Sequence, residues 1–214
     1  MSMSGEPISA PETAKSSELE ESWTIQELIN AGWREADLDW ENAAARTVQA
    51  LARGDTDSAK DAAGAALRLA RESFDAIDPR LGTSLANYGA CLWLAGDRQG
   101  LRPLVQTALE TWRASGPWIA RLTAPRVARS SMFHLRMEAL HRDTYRARWQ
   151  QRWQEIAADA AGRLQALNDG LAAGDTPALD VPAETMLATW KRERPAMLND
   201  TRKLLGAGLL LLVS

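Results

Sequence analysis

Residues 85–97 read LANYGACLWLAGD, an apolar run that ends in a Gly-Asp pair. Its apolar side chains recur at helical spacing, which places them on one face of an α-helix. Glycine ends such a helix, and a short polar residue after it can cap the next one. The stretch therefore predicts a helix over residues 81–95, a turn at Gly96-Asp97 and a returning helix over residues 98–114.

A second hairpin is expected earlier in the chain. Asp39 is a suitable N-cap for a helix over residues 40–53, Gly54-Asp55 supplies the turn, and a second helix extends to about residue 76. Asp78-Pro79 follows, and because proline disfavours helix in the residue before it, the pair is expected to end there. The two candidate units are residues 40–78 and 81–115.

The two Gly-Asp turns are 42 residues apart, and a third pair, Gly174-Asp175, lies 78 residues further on. Recurring helical hairpins are typical of an α-solenoid, because one hairpin cannot bury its apolar face alone. The composition agrees, since Ala and Leu supply 38 and 28 of the 214 residues, whereas Val and Ile together supply 11. Because Ala and Leu favour helices, an all-α fold of helical-hairpin repeats with extra C-terminal helices is predicted.

Gly89, Gly96, Asp97 and Ala108 fall at the offsets of a helix glycine, a Gly-Asp turn and an alanine in the returning helix. In this pattern the chain resembles the tetratricopeptide repeat (TPR) family, although the spacing of 42 residues exceeds the roughly 34 of that family. The first unit matches at its turn but has Thr47 at the position of the helix glycine. The resemblance implies a scaffold that binds other proteins on a concave face.

Some members of that family hold a partner's C-terminal carboxylate with Lys, Asn and Arg side chains on successive first helices. The resemblance places Asn87 at one such asparagine position, while Ala44 and Val48 occupy the positions of the lysine and asparagine of the preceding unit. Asn87 is therefore a candidate binding residue, and the alternative is an ordinary asparagine on a helix surface.

Arginine is concentrated in residues 119–153, which carry eight Arg, no Lys and two acids. Their formal charge is +6, in a chain whose net charge is −3. One interpretation is a groove for an acidic peptide, carboxylate or phosphate, and the other is a solvated helix face. Nucleic acid is not expected as a partner, because the net charge is modest. The candidate partner-binding residues are Asn87, Arg126, Arg129, Arg136, Tyr145, Arg146, Trp149 and Trp153.

No catalytic motif, metal-ligand set or cofactor-binding loop is recognisable, so we expect no catalytic residues, no metal and no cofactor. His134 and His141 are seven residues apart, unlike the i, i+4 spacing of helical zinc ligands. Cys91 lies within an apolar helix and is expected to serve packing. The rival interpretation is an enzyme or small-ligand binder whose pocket for an anionic substrate comprises Arg129, His134, Arg136, His141 and Tyr145.

The chain divides into three segments. Residues 1–22, with five Glu, are expected to form a disordered acidic tail, and residues 23–200 a single helical domain. Residues 201–214 form an apolar tail, well short of the ~20 apolar residues that span a membrane, so no transmembrane segment is expected. This tail could pack on the helices, enter a partner or bind a membrane surface. Because no signal peptide is recognisable, a cytoplasmic, bacterial-type protein is expected.

These patterns predict a non-catalytic adaptor, either an accessory subunit or an assembly factor of a larger complex. The expected partner is another protein, which would use an acidic or carboxylate-bearing segment to bind an Arg- and Trp-lined concave surface. Peripheral membrane attachment through residues 201–214 is the third alternative.

Overall fold

The structure is a computed structural model that describes residues 29–30, 32–123, 126–127, 142–177, 197–198 and 201–208. Seven helices and one pair of two-residue strands are defined within these ranges, which confirms the predicted all-α class. The helices are α1 (Glu35–Ala52), α2 (Thr56–Ser73), α3 (Pro79–Leu94), α4 (Leu101–Ala114), α5 (Gly116–Ile119), α6 (Arg142–Ala173) and α7 (Thr201–Ala207), and the strands are β1 (Arg126–Val127) and β2 (Met197–Leu198).

Each Gly-Asp pair ends a helix, and at Gly54-Asp55 the aspartate also begins the next one. At Gly54-Asp55 the glycine adopts φ +73°, its N–H donates to the carbonyl of Leu51 at 2.9 Å, and the Asp55 N–H donates to that of Ala50 at 3.0 Å. This is the Schellman motif, which satisfies the last carbonyls of a helix. The Asp55 carboxylate then accepts the N–H of Ser58 at 3.0 Å and caps α2.

The same geometry occurs at the other two Gly-Asp pairs. Gly96 has φ +93° and Gly174 has φ +88°, and the aspartate after each donates its N–H at 2.9 Å to the carbonyl five residues earlier. The Asp97 carboxylate also accepts the N–H of Gln99 at 3.2 Å. The predicted turns at Gly54-Asp55 and Gly96-Asp97 are therefore confirmed as the links between α1 and α2 and between α3 and α4.

The predicted helix boundaries differ from the observed ones by two to five residues at four places, namely the starts of α1, α3 and α4 and the end of α2. Helix α1 begins at Glu35 instead of residue 40, because the carboxylate of Asp37, not that of Asp39, supports its first turn by accepting the Arg34 N–H at 2.8 Å. Helix α3 begins at Pro79 instead of residue 81, because Asp78 caps it by accepting the Arg80 N–H at 3.0 Å. Asp78-Pro79 therefore separates the two hairpins and also begins the second one. Proline suits the first turn of a helix, where its missing N–H has no intrahelical partner to lose.

Consecutive helices pack against each other in the order α1, α2, α3, α4, with α6 next to α4. Between α1 and α2 the buried side chains are mostly alanines, whereas α4 contributes Leu101, Val105, Leu109 and Trp112 to the larger core cluster. Helices α3 and α4 approach closely at two glycines. A Cβ atom at Gly82 would lie 2.8 Å from Trp112 Cδ1, and one at Gly89 would lie 3.1 Å from Leu101 Cδ1.

Helix α7 returns to α3. Leu204 and Leu205 are buried in the larger core cluster, and the Thr83 hydroxyl donates to the carbonyl of Ala207. Strands β1 and β2 pair antiparallel, with Arg126 opposite Leu198. Residues 201–208 of the apolar tail therefore pack on the helices, and residues 209–214 lie outside the described residues. In the part of the chain that the structure describes, no helix combines the length and apolar character needed to cross a membrane.

Candidate functional site

Arg80, at the start of α3, lies between two carboxylates. Its Nη1 donates to Asp37 Oδ1 of α1 at 2.6 Å, and its Nη2 donates to Asp78 Oδ2 at 2.6 Å. Its Nε lies 3.0 Å from the other Asp78 oxygen. All three side chains are buried. This charge cluster, defined as Asp37, Asp78 and Arg80, ties the first turn of α1 to the first turn of α3.

Asp37 and Arg80 of the charge cluster are both ionised at neutral pH. Burial would raise the pKa of Asp37, but the backbone N–H of Arg34, the hydrogen bond and charge of Arg80 and the charge of Lys203 bring it down to about 2. Burial likewise opposes the charge on Arg80, and hydrogen bonds and charges of Asp78 and Asp37 raise its pKa above the usual value. For Asp37 and for Arg80, the hydrogen bonds and the opposite charges of their partners thus outweigh the effect of desolvation on the pKa.

Aromatic rings fix the plane of the Arg80 guanidinium. Its central carbon lies 3.5 Å from the ring centroid of Phe74 and 6.0 Å from that of Trp118. The Trp40 indole N–H donates to the Ser84 hydroxyl at 2.8 Å, and this hydroxyl donates to the Arg80 carbonyl at 2.7 Å. Cation–π contact and hydrogen bonds together leave Arg80 one well-defined position.

Above the charge cluster lies an open cleft of about 280 Å³, which we call the Arg80 cleft. It lies where the start of α1, the α2–α3 link, the start of α3, the end of α5 and helix α7 meet. Basic and aromatic side chains dominate its lining. They are Arg34, Arg80, Arg121, Lys203, Phe74 and Trp118, with Ser73, Asp75, Asp78 and Leu122 between them.

Two arginines at the rim of the Arg80 cleft are held loosely. The side chains of Arg34 and Arg121 are 60% and 62% exposed. Arg34 Nη2 donates to the carbonyl of Ser73 at 3.2 Å, and its Nε lies 3.5 Å from Asp37 Oδ2. Arg121 Nη2 lies 3.6 Å from the exposed carboxylate of Asp75. The Arg121–Asp75 pair is exposed on both sides and contributes little, and the mostly exposed guanidinium of Arg34 reaches the buried Asp37 carboxylate only at 3.5 Å, so both guanidinium groups can exchange partners at low cost.

The predicted binding residues are not assembled into one surface in the described part of the chain. Asn87 is buried in α3, with 6% of its surface exposed. Arg146 is exposed on α6, and the ring of Trp149 lies 6.3 Å from that of Trp153, measured between centroids. Trp153 is 2% exposed and belongs to the core, where it packs as an apolar residue.

The remaining predicted residues are described only in part or not at all. Arg126 lies in β1 and Tyr145 in α6, with only their backbones described. Arg129 and Arg136 lie outside the described residues, as do His134 and His141 of the rival enzyme pocket.

Two further features bear on chemistry, namely the thiol of Cys91 and the arrangement of potential metal ligands. Cys91 is buried in α3, and burial raises the pKa of its thiol to about 12. The thiol is therefore protonated at neutral pH and packs as a small apolar group, as its position in the sequence predicts. Among the residues that the structure describes, no group of three or more His, Cys, Asp or Glu is placed to hold a metal ion.

The Arg80 cleft was not predicted from the sequence, although the spacing of polar residues in α3 indicates it. Arg80, Ser84 and Asn87 recur on one face of α3, and all three are buried. Polar residues at helical spacing among apolar ones indicate that a helix face meets polar partners inside the protein. The partners themselves lie far away in sequence, since Asp37 is 43 residues from Arg80.

Comparison with protein families, curated proteins and solved structures gives no match to this chain. A function for it therefore rests on its own helices and on the chemistry of the Arg80 cleft, since a fold alone does not imply a function.

Proposed function

We propose that this protein is a non-catalytic, TPR-like scaffold that binds a partner protein, as an adaptor, accessory subunit or assembly factor. The observation that carries the proposal is the recurrence of one turn. Gly54-Asp55 and Gly96-Asp97 share their φ sign, their Schellman hydrogen bonds and an aspartate whose carboxylate accepts a backbone N–H two or three residues later. Two hairpins built on the same junction support a repeat scaffold.

The packing order adds to this support. Each of the first four helices lies against its sequence neighbours, as stacked hairpins do. Gly89 of α3, which has the offset of the helix glycine of a TPR, lies in close contact with Leu101 and Leu104 of α4. Stacked helical hairpins leave an extended row of helix faces, and such surfaces serve protein binding.

Partner binding can be tested with the full chain. The tagged protein is used to capture partners from its host under mild cross-linking, and each candidate is purified and titrated by calorimetry. We expect one partner to bind with a defined stoichiometry. Charge reversal on α6 (Arg146→Glu with Arg152→Glu) tests whether the exposed arginines take part, and Arg53→Glu with Arg102→Glu is the matched control.

The proposal predicts that at least one purified partner binds the wild-type protein saturably. If no captured protein binds when purified, and the capture equals that of an unrelated helical protein, the scaffold function is wrong. A partner that binds the α6 variant and the wild type equally well places the contact elsewhere on the helices.

A further inference from the structure

We propose that the Arg80 cleft binds a carboxylate carried by a peptide segment of the partner, and that the guanidinium groups of Arg34 and Arg121 hold it. This inference rests on the proposed scaffold function, and it adds a site and a ligand chemistry. The candidates assigned from the sequence lie elsewhere in the chain, at residues 87 and 126–153.

Arg80 forms the floor of the cleft and is a positioning residue. Its Nη1 and Nη2 atoms each bind a carboxylate at 2.6 Å, and its face covers the Phe74 ring at 3.5 Å. A ligand would have to compete with two buried charges for this guanidinium. The role of Arg80 is therefore to hold Phe74 and the α2–α3 link in place beneath the ligand.

Arg34 and Arg121 have the properties of ligand-binding groups. Both are mostly exposed, and their nearest carboxylate oxygens lie at 3.5 and 3.6 Å, beyond the 2.7–2.9 Å that is usual for charge-assisted hydrogen bonds. A carboxylate that enters the cleft can accept two parallel N–H groups from a guanidinium, which is a stronger arrangement than either existing contact.

The charge of the cleft selects for a single negative charge. Four basic side chains line it, and three carboxylates lie at or beneath its surface, namely Asp37, Asp75 and Asp78. The resulting net charge of +1 is neutralised by one carboxylate. A phosphate monoester carries about −1.5 to −2 at neutral pH, which exceeds the charge of the cleft, and the exposed carboxylate of Asp75 would repel it more strongly than it repels a single carboxylate.

The size and walls of the cleft favour a short segment of peptide. Its volume of about 280 Å³ lies just below the ~300–1,000 Å³ of pockets for drug-sized ligands. Phe74, Trp118 and Leu122 supply apolar surface beside the basic groups. The aliphatic part of an acidic residue can pack on these walls while its carboxylate reaches the arginines.

Binding is tested by fluorescence polarisation with the full chain and three glycine–serine peptides that carry an uncharged boron-dipyrromethene dye at the N-terminus. The first has two internal glutamates and an amidated C-terminus, and the second has glutamines and a free C-terminus. The third has glutamines and an amidated C-terminus, so it lacks a carboxylate. The first two distinguish a side-chain carboxylate from a terminal one, and inorganic phosphate and acetate are added separately as competitors.

We expect one of the two carboxylate peptides to bind and the third not to bind. Arg34→Gln and Arg121→Gln should each weaken binding about tenfold, because each removes a hydrogen-bonded charge. The matched controls Arg53→Gln and Arg102→Gln, which remove exposed arginines outside the cleft, should leave the affinity unchanged. Binding should weaken as salt is raised, since the rim of the cleft is exposed.

Three results would overturn the inference. The first is that neither carboxylate peptide binds, and the second is that the control variants weaken binding as much as the cleft variants. The third is that phosphate displaces the peptide at lower concentration than acetate does. If a purified partner still binds Arg34→Gln with wild-type affinity, the scaffold function stands and the cleft is not its site. If the peptides bind but no partner is found, the cleft site stands and the scaffold function does not.

Discussion

Two helix contacts in this protein are held by different interactions. Charged side chains hold the contact of α1 with α3 at Asp37 and Arg80, which we call the α1–α3 junction, whereas apolar packing holds the α3–α4 interface. At the junction Arg80 bridges two buried carboxylates, and the nearby core between α1 and α2 is built mainly from alanines such as Ala43 and Ala66. At the α3–α4 interface Leu101 and Trp112 pack against the glycines of α3. Alanines bury little apolar surface, so the charge cluster supplies directional contacts that they cannot.

The difference shows that directional charged contacts hold one pair of helices in place, while apolar packing holds the next pair. A buried ion pair contributes little net free energy of folding, yet removal of one partner is costly because a charge remains unpaired. Close apolar packing contributes directly to stability and tolerates few changes of volume. The Arg80 cleft lies at the junction, where charged groups are already held in place.

The largest expected effect on stability comes from removing the positive charge of Arg80 at the α1–α3 junction. Arg80→Met should lower the free energy of unfolding by about 3–5 kcal/mol, because Asp37 and Asp78 would remain buried without their partner. Urea unfolding followed by circular dichroism measures this loss, and Arg102→Met on the exposed face of α4 is the control. A loss below about 1 kcal/mol would mean that the junction does not depend on the charge cluster.

The α3–α4 interface should respond to volume instead of charge. Gly82→Ala places a Cβ atom 2.8 Å from Trp112 Cδ1 and 3.0 Å from the carbonyl oxygen of Ala108, so we expect a loss of about 1–3 kcal/mol in the same assay. Gly162→Ala in α6, with nothing within 4 Å of the new Cβ atom, should instead raise stability by about 0.5–1 kcal/mol. Equal effects at both positions would contradict the close packing at Gly82.

Acid should weaken the junction and leave the α3–α4 interface unaffected. The pKa of Asp37 in the folded protein is about 2, below its ordinary value of 3.8, so its ionised form stabilises the fold above about pH 5. This contribution, about 2 kcal/mol, should be lost as the pH falls through 2. The stability difference between wild type and Asp37→Asn should narrow by that amount, whereas the difference between wild type and Gly82→Ala should stay constant.

The smallest effects test whether the two turns are equivalent. Gly54→Ala and Gly96→Ala force a side chain into the left-handed region, at φ +73° and +93°, and each should cost about 1 kcal/mol. Thermal unfolding of both variants should give similar losses, and Gly116→Ala, at a glycine without positive φ, should be nearly neutral. Losses that differ by more than about 1 kcal/mol would show that the hairpins are joined by unequal turns.

Features that depend on local chemistry were predictable from the sequence. The all-α class follows from the abundance of Ala and Leu, and the turns follow from Gly-Asp pairs whose hydrogen bonds lie within six residues. The start of α1 was not predictable in this way. Asp37 and Asp39 are both plausible capping residues, and the choice depends on which of them faces Arg80.

The Arg80 cleft could not be predicted from the sequence, for a different reason. Its lining comes from residues 34 to 203, and Lys203 joins that lining because α7 packs against α3. Lys203 reaches Asp37 across this long separation, with Nζ 3.5 Å from Oδ2. A periodic pattern can show that a helix has a polar position on its buried face, but it cannot show which distant segment supplies the partner.

The return of α7 to α3 also sets an order of assembly during synthesis. The hairpins form from neighbouring residues and can fold as they leave the ribosome, since local contacts close quickly. The contact between Thr83 and Ala207 joins residues 124 positions apart, and it must wait until α7 has been made. The nascent chain therefore holds folded hairpins with an uncovered patch on α3, where Leu204 finally packs.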